Sequence, residues 1–324
     1  MRAPLLAATL LAATASVAAA QGPSGRLEGY PSRPVRFIVP LPPGGSPDIV
    51  ARTIATELNW PHPVVVDNRT GGGRNLAAEL VAKSAPDGHT WLLTPDNILT
   101  ANPHLGKTPF DPFKDFTPVT QLAHFQFLLV VHPSVPAQTV QELVALARSK
   151  PGSLNYGSSG SGSAQHLGTS MLQYLTGIEM IHVPYKGAGP ALADLLPGRI
   201  QVWIGAANSL LPQIRENRLR PLASTGAQRS MLLPDVPTVA ESGVPGYRHD
   251  VWAALTMPAG VAPAIVAKAN ADVVRALNAP AVKAKLAAQG IDVTTGSPQA
   301  LALRVREDYE RWGKVIRATG IRAE

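Results

Sequence analysis

Phe37-Ile38-Val39 is a short apolar run. It is followed by Pro40-Leu41-Pro42-Pro43-Gly44-Gly45-Ser46-Pro47-Asp48 and then by Ile49, Ile54, Ala55 and Leu58 at helical spacing. A strand that passes through a stiff glycine turn straight into a helix leaves several backbone N–H groups unpaired and aimed at one spot, and such a spot attracts an anion. Ser46 suits the N-cap, and Pro47 suits the first helical position, where its missing N–H costs nothing. Gly44 and Gly45 let the backbone approach a ligand, while Pro42 and Pro43 stiffen the approach. Taken alone, the segment also reads as an ordinary, well-capped strand-to-helix turn. Nucleotide signatures fail: no G-x-G-x-x-G opens a helix, and Gly106-Lys107-Thr108 has Ala101 where a phosphate loop needs its first glycine.

The same alternation continues along the chain. Strands are expected at Val35 to Val39, Val64 to Val66, Trp91 to Thr94, Leu128 to Val131, Leu154 to Tyr156, Met180 to Val183, Ile200 to Ile204, Pro221 to Ser224 and Trp252 to Met257. Helical patterns lie between them; Thr139-Val140-Gln141-Glu142 is a capping box for a helix running to about Ser149. Helices are also expected over Pro263 to Leu277 and Pro298 to Arg317. This order predicts an α/β fold of two domains, each a mostly parallel sheet flanked by helices. The expected division is residues 31–127 with 254–324 in domain 1 and 128–253 in domain 2.

A second donor-rich turn follows Leu154-Asn155-Tyr156. It reads Gly157-Ser158-Ser159-Gly160-Ser161-Gly162-Ser163-Ala164-Gln165-His166 and leads into a helix carrying Leu167, Met171, Leu172 and Leu175. The elements of the first turn recur: glycines, donors and a helix N-terminus. The competing readings are a flexible Gly/Ser linker and a serine nucleophile beside His166. A G-x-S-x-G elbow cannot be matched at Ser158, Ser159, Ser161 or Ser163, so His166 is expected to hold the loop by a hydrogen bond. The other histidines are isolated and no H-E-x-x-H occurs, so neither a metal site nor a cofactor is expected. Tyr185-Lys186-Gly187 reads equally as a phenol and an ammonium near the same cleft or as surface decoration.

Met1-Arg2, the Leu/Ala run from Leu5 to Ala13 and Ala18-Ala19-Ala20 form the three parts of a signal peptide over residues 1–20, with a disordered lead-in expected over 21–30. Thr9, Thr14 and Ser16 interrupt the apolar run, short of the roughly 20 residues an anchor needs. The chain has no cysteine, which removes disulfides, thiolate metal sites, cysteine nucleophiles and lipid attachment together. The formal net charge of +7 is scattered at helical spacing without a basic-aromatic cluster, so no nucleic-acid partner is expected.

Jointly, Pro40 to Ser46 with Asp48, Val64 to Arg69, Ala85-Pro86-Asp87-Gly88, the Leu154 strand with its Gly/Ser loop and Gln165-His166, Val183 to Gly187, and Leu233-Pro234-Asp235-Val236-Pro237-Thr238 resemble the Bug proteins. These are periplasmic substrate-binding receptors of tripartite tricarboxylate transporters. The resemblance runs in order from about Tyr30 to the end of the chain. It implies a periplasmic-binding-protein clamshell, type II-like, that closes on a small carboxylate. By that resemblance Leu41, Gly44, Gly45 and Ser46 form one jaw, and Ser159, Gly160, Gly162 and Ser163 the other. Asp48 either organises the first jaw or receives a ligand donor.

The chain departs from the family at the ligand's far end. Asp96-Asn97 stands where relatives often carry Asn-Ser or Asn-Thr, Gly205-Ala206 where they often show Asp-Asn, and Phe127 where an Asn is frequent. These changes predict a distal pocket less suited to an α-amino group or a second carboxylate. The resulting expectation is a monomeric, non-enzymatic periplasmic receptor that hands a small carboxylate to the membrane components of a transporter. A secreted serine-dependent hydrolase and an orphan receptor feeding a sensor kinase are the alternatives.

Overall fold

A computed structural model describes residues 29–71 and 74–322. The expected signal peptide, and the expected lead-in as far as residue 28, lie outside the described residues. Tyr30, at the end of that lead-in, is not disordered. Its ring is buried edge-on against Trp60, and its hydroxyl donates to the Gly88 carbonyl at 2.7 Å.

The chain begins with β1 (Val35–Val39), α1 (Ser46–Glu57), β2 (Val64–Asn68), α2 (Asn75–Ala82) and β3 (Thr90–Pro95). Two short helices, α3 (Asp96–Thr100) and α4 (Asn102–Leu105), lead to β4 (Phe116–Phe125). Gln126 then separates β4 from β5 (Phe127–Val131), which opens a second run: α5 (Val140–Ser149), β6 (Asn155–Ser158), α6 (Ala164–Thr176), β7 (Ile181–Pro184), α7 (Ala188–Leu195), β8 (Val202–Ala206), α8 (Ala207–Arg215) and β9 (Arg220–Ser224). The chain returns through β10 (Val251–Pro258) and ends with α9 (Pro263–Asn278), α10 (Pro280–Ala287), β11 (Ile291–Val293) and α11 (Pro298–Thr319).

The strands form two sheets, a six-stranded one in the order β11-β4-β10-β3-β1-β2 and a five-stranded one in the order β7-β6-β8-β5-β9. In the first, β1 pairs parallel with β2 and β3, while β10 runs antiparallel between β3 and β4. In the second, β6 pairs parallel with β7 and β8, while β5 runs antiparallel between β8 and β9. The sheets are mixed: β1 to β4 run one way in the first against β10 and the edge strand β11, and β6 to β9 run one way in the second against β5, the central exception in each being a strand arriving from the other half. An arriving strand starts at the seam and runs away from it, whereas strands of βα units end there. The carboxyl ends of β1, β2 and β3 consequently face those of β6, β7 and β8 across a gap, where open α/β sheets bind ligands.

The Thr139 capping box is present: its hydroxyl accepts the Glu142 N–H at 3.1 Å and opens α5. Strands β4 and β11 were not expected. In β4 the buried positions do not alternate, because two register shifts against β10 interrupt the pleat. The loop glycine Gly157 lies inside β6, paired with Val183, rather than beyond it, and a Cβ there would come within 2.4 Å of Ile200 Cδ1, so the position requires glycine.

One core packs Phe37, Trp91, Leu93 and Leu255 of the first sheet against Ile54 of α1 and Val273 of α9. A second packs Leu129, Tyr156 and Ile204 against Leu143 and Leu172. Helix α11 was expected wholly in domain 1, but it straddles both halves. Leu301 and Val305 pack on the first sheet's outer face, while Trp312, Val315 and Ile316 join the second core together with Ala101 and Leu105. The apolar face of a helix this long extends beyond one sheet, so its far end is buried by the neighbouring half.

Candidate functional site

The loop after β1 is built around one buried carboxylate. Asp48 Oδ2 accepts the Gly44 N–H at 2.9 Å and Arg52 Nε at 2.8 Å, and Oδ1 accepts Asn68 Nδ2 at 2.9 Å. Asn68 Nδ2 also donates to the Leu41 carbonyl at 2.9 Å, tying the loop to the end of β2. Burial works to raise the Asp48 pKa, but the hydrogen bonds from Arg52, Gly44 and Asn68 outweigh it and hold the carboxyl below its usual range. Asp48 thus organises the loop and points its acceptors inward.

Ser46 is not the N-cap. The extended residue before α1 is Gly45, with φ −77° and ψ 162°, and no side chain caps the helix directly. Asp48 takes over by reaching back to Gly44, whose φ of +86° lies in the left-handed region that favours glycine. Among the described residues no acceptor meets the N–H groups of Gly45 and Ser46, the orphan donors of the helix start.

The loop after β6 is equally self-bonded. Ser158 Oγ accepts the Gly160 N–H at 3.1 Å and lies 2.7 Å from His182 Nε2. Ser159 Oγ donates to Gln165 Oε1 at 2.9 Å, and Ser163 N-caps α6. The Gly162 N–H donates to His166 Nδ1 at 3.1 Å, so His166 holds the loop with Nδ1 as acceptor and its proton on Nε2. Burial pushes the His166 pKa down to about 4, helped by His182 stacked 4.0 Å away. The buried serine facing an imidazole is Ser158, turned toward His182, and not Ser159, Ser161 or Ser163 toward His166. Tyr185 directs its hydroxyl to Asp194 at 2.9 Å rather than into the gap.

Two hydrogen bonds cross between the halves, each ending on one of the two loops. Asn97 Nδ2 of α3 donates to the Gly162 carbonyl at 3.2 Å, and Asn208 Nδ2 of α8 donates to Ser46 Oγ at 3.2 Å. Phe127 packs against both cores, and its register partner Ala206 begins the turn into α8. Of the residues singled out in the sequence, Asn97 and Gly162 meet each other across the gap, while Ser46 meets Asn208. Leu41, Gly44 and Gly45 lie between β1 and α1 with Asp48 in the first turn of α1, Ser159, Gly160 and Ser163 lie between β6 and α6, and Phe127 and Ala206 lie at the start of β5 and the end of β8.

Arg74 and Asn208 were missed. Arg74 Nη1 donates to Asn97 Oδ1 at 3.1 Å. Asn208 lies two residues beyond Ala206, so an amide does stand just past this strand, shifted from the place where it was sought. Asp96, next to Asn97, is buried. Desolvation, with repulsion from Asp308, pushes its carboxyl up to about 7 against the attraction of Arg74 and Arg311. Among the described residues no group of three or more acidic, histidine or cysteine side chains is placed to hold a metal, and no helix is long and apolar enough to cross a membrane.

Residues 49–321 match the family described as "Tripartite tricarboxylate transporter family receptor". Protein BugT of Bordetella pertussis is 35% identical over 90% of this chain and 90% of its own length. Among solved structures, an R. palustris protein with adipate is 38% identical at a TM-score of 0.83, covering 90% of this chain and 99% of its own. MatC from Rhodopseudomonas palustris with bound malate is 34% identical at a TM-score of 0.79, covering 88% and 99%. The two facing α/β halves, the paired loops at their strand ends and this likeness along nearly the whole chain agree: the chain belongs to the tripartite tricarboxylate transporter receptor family.

Proposed function

We propose that the protein is a periplasmic receptor that captures a small organic carboxylate between its two halves and delivers it to the membrane components of a tripartite tricarboxylate transporter. The observation that carries this reading is the pair of orphan N–H donors at Gly45 and Ser46, at the strand ends where the two halves are bonded through Asn97–Gly162 and Asn208–Ser46. Residues 31–127 with 254–324 and residues 128–253 would move as the two bodies, with α11 as the strap between them. A carboxylate suits the loops because fixed N–H donors and helix N-termini stabilise negative charge without reorganising. Gly45, Ser46 and the Ser159 to Ser163 segment contact the ligand, while Leu41, Gly44 and Asp48 hold the first loop in shape. Phe127, Ala206 and Asn97 bound the pocket behind it. Closure is driven by contacts the ligand makes with both loops at once.

The similar proteins solved with adipate and with malate support the choice of ligand class. Titration calorimetry and thermal melting with a panel of aliphatic and aromatic acids test it, together with native mass spectrometry for a co-purified acid. Saturable binding of at least one acid, with a ligand-dependent rise in melting temperature, is expected. Ester turnover abolished by Ser159→Ala, with no acid bound, would replace the receptor by a hydrolase.

A further inference from the structure

Arg74 stands immediately before α2 with φ +76°, a left-handed conformation that side chains other than glycine tolerate only at a cost. Its guanidinium is nevertheless well placed. Nη1 donates to Asn97 Oδ1 at 3.1 Å, and Asn97 Nδ2 donates onward to the Gly162 carbonyl of the facing loop and to Asn102 Oδ1 at 3.3 Å. Asn102 Nδ2 in turn donates to Asn75 Oδ1 at 2.8 Å, closing a ring of amides back to the residue that follows Arg74. The ring orients Asn97 with its oxygen toward Arg74 and its nitrogen toward the second loop. Arg74 is thereby held one side chain away from the seam between the halves.

A guanidinium carries five N–H donors and a permanent charge. Among the described residues Arg74 makes that single side-chain hydrogen bond and no ion pair. Arg52, Arg304 and Arg311, by contrast, each hold an aspartate within 2.9 Å. Desolvation presses the Arg74 pKa down, and only the charge of Asp96 opposes it. Asp96 is a weak counter-ion, because its own burial keeps it partly protonated near neutral pH. A half-buried cation with unspent donors, in a strained backbone position, calls for an anion from outside the chain.

We propose that Arg74 determines specificity by receiving a second anionic group of the ligand, so that this cleft selects dicarboxylates over monocarboxylates. The first carboxylate meets the N–H donors of the facing loops, and the second forms a charge-assisted, bidentate contact with the free side of the guanidinium. This deepens the carboxylate-receptor reading and rests on it. It also reverses the expectation that the distal pocket disfavours a second carboxylate, which was formed from Asp96, Asn97, Phe127 and Ala206 without Arg74.

Calorimetric titration of the full chain with matched acids tests this: succinate against butyrate, adipate against hexanoate and terephthalate against benzoate. The wild type should bind the diacid of at least one pair at least tenfold more tightly than the monoacid. Arg74→Gly, which suits φ +76° and leaves Asn97 in place, should erase at least tenfold of that preference. The readout is the ratio of the two affinities, in which any loss shared by both acids through Asn97 cancels, and the melting temperature should not fall. Arg74→Lys should recover part of the preference. An unchanged diacid-to-monoacid ratio in Arg74→Gly, or a wild type with no diacid preference, overturns the role of Arg74 and leaves the receptor reading standing. Failure of the wild type to bind any acid overturns both.

Discussion

Asn97 and Gly162 meet across the gap between the two halves, amide nitrogen to carbonyl oxygen at 3.2 Å, although 65 residues of chain separate them. The same Asn97 amide accepts from Arg74, so one side chain fixes both the approach of the loops and the direction of a charged group. Its value lies in specificity of arrangement more than in stability, since a single neutral hydrogen bond nets only about 1 kcal/mol.

Asn97→Ala should therefore weaken ligand binding about fivefold to tenfold, in line with the loss of roughly 1 to 1.5 kcal/mol from one hydrogen bond between the halves. The unliganded protein should melt within a few degrees of the wild type. Calorimetric titration beside a thermal melt separates the two effects, and a large loss of stability with unchanged affinity would contradict this role.

Asp48 is far more exacting. Asp48→Ala strands Gly44, Arg52 and Asn68 donors around an almost fully buried position, for a cost of about 2 to 4 kcal/mol in urea unfolding. Ligand binding should be lost with the loop. Because the folded pKa lies below the unfolded one, this stabilisation is present above the unfolded pKa and disappears as the pH falls through the folded value.

Asp96 works in the opposite sense. Its folded pKa of about 7 exceeds the unfolded value, so between the unfolded pKa and about 7 the native state holds the extra proton and stability declines as the pH rises. Asp96→Asn should flatten that decline and raise stability at pH 8 by about 1 to 3 kcal/mol, a pKa unit being worth about 1.4 kcal/mol. Denaturant titrations at pH 5 and pH 8 measure the difference. In the wild type, affinity for a dicarboxylate should drop as the pH passes 7, because ionised Asp96 repels the second anionic group and competes for Arg74.

His166 supplies an acid-side limit. With its folded pKa lowered to about 4, the native state refuses a proton that the unfolded chain takes up below about 6.5, so stability falls as the pH drops from there toward 4. His166→Asn keeps an acceptor near Nδ1 for the Gly162 N–H and cannot be protonated; it should melt less steeply with acid while retaining ligand affinity. His166→Ala should lose affinity at every pH, because the Gly162 N–H is left without its partner. His249, also lowered to about 4 by burial, will keep part of the acid sensitivity in both variants.

Several of these roles were visible only in part from the chain. Asp48 stood out by its place three residues after Gly45, but whether it faced inward or toward a ligand depended on Asn68, which arrives from β2. Ser46 matched an N-cap by residue type, yet the backbone put Gly45 in the extended position and left the serine hydroxyl to Asn208. Arg74 follows three glycines and reads as part of a turn; only the tertiary fold brings it, just before α2, to Asn97 of α3. Strand β4 escaped because register shifts break the alternation that a strand's pleat otherwise imprints on sequence.

What the sequence determined by itself was the alternation of strands and helices and the two donor-rich turns that feed α1 and α6. These depend on local forces: side-chain periodicity, glycine and proline backbone preferences, and the orphan N–H groups of a helix start. The tertiary structure decided which groups those turns face and which donors remain unspent. Asn97, Gly162, Asn208, Ser46 and Arg74 are brought together by strands that cross between two sheets, and a hydrogen bond between distant segments leaves no trace in the spacing of either one.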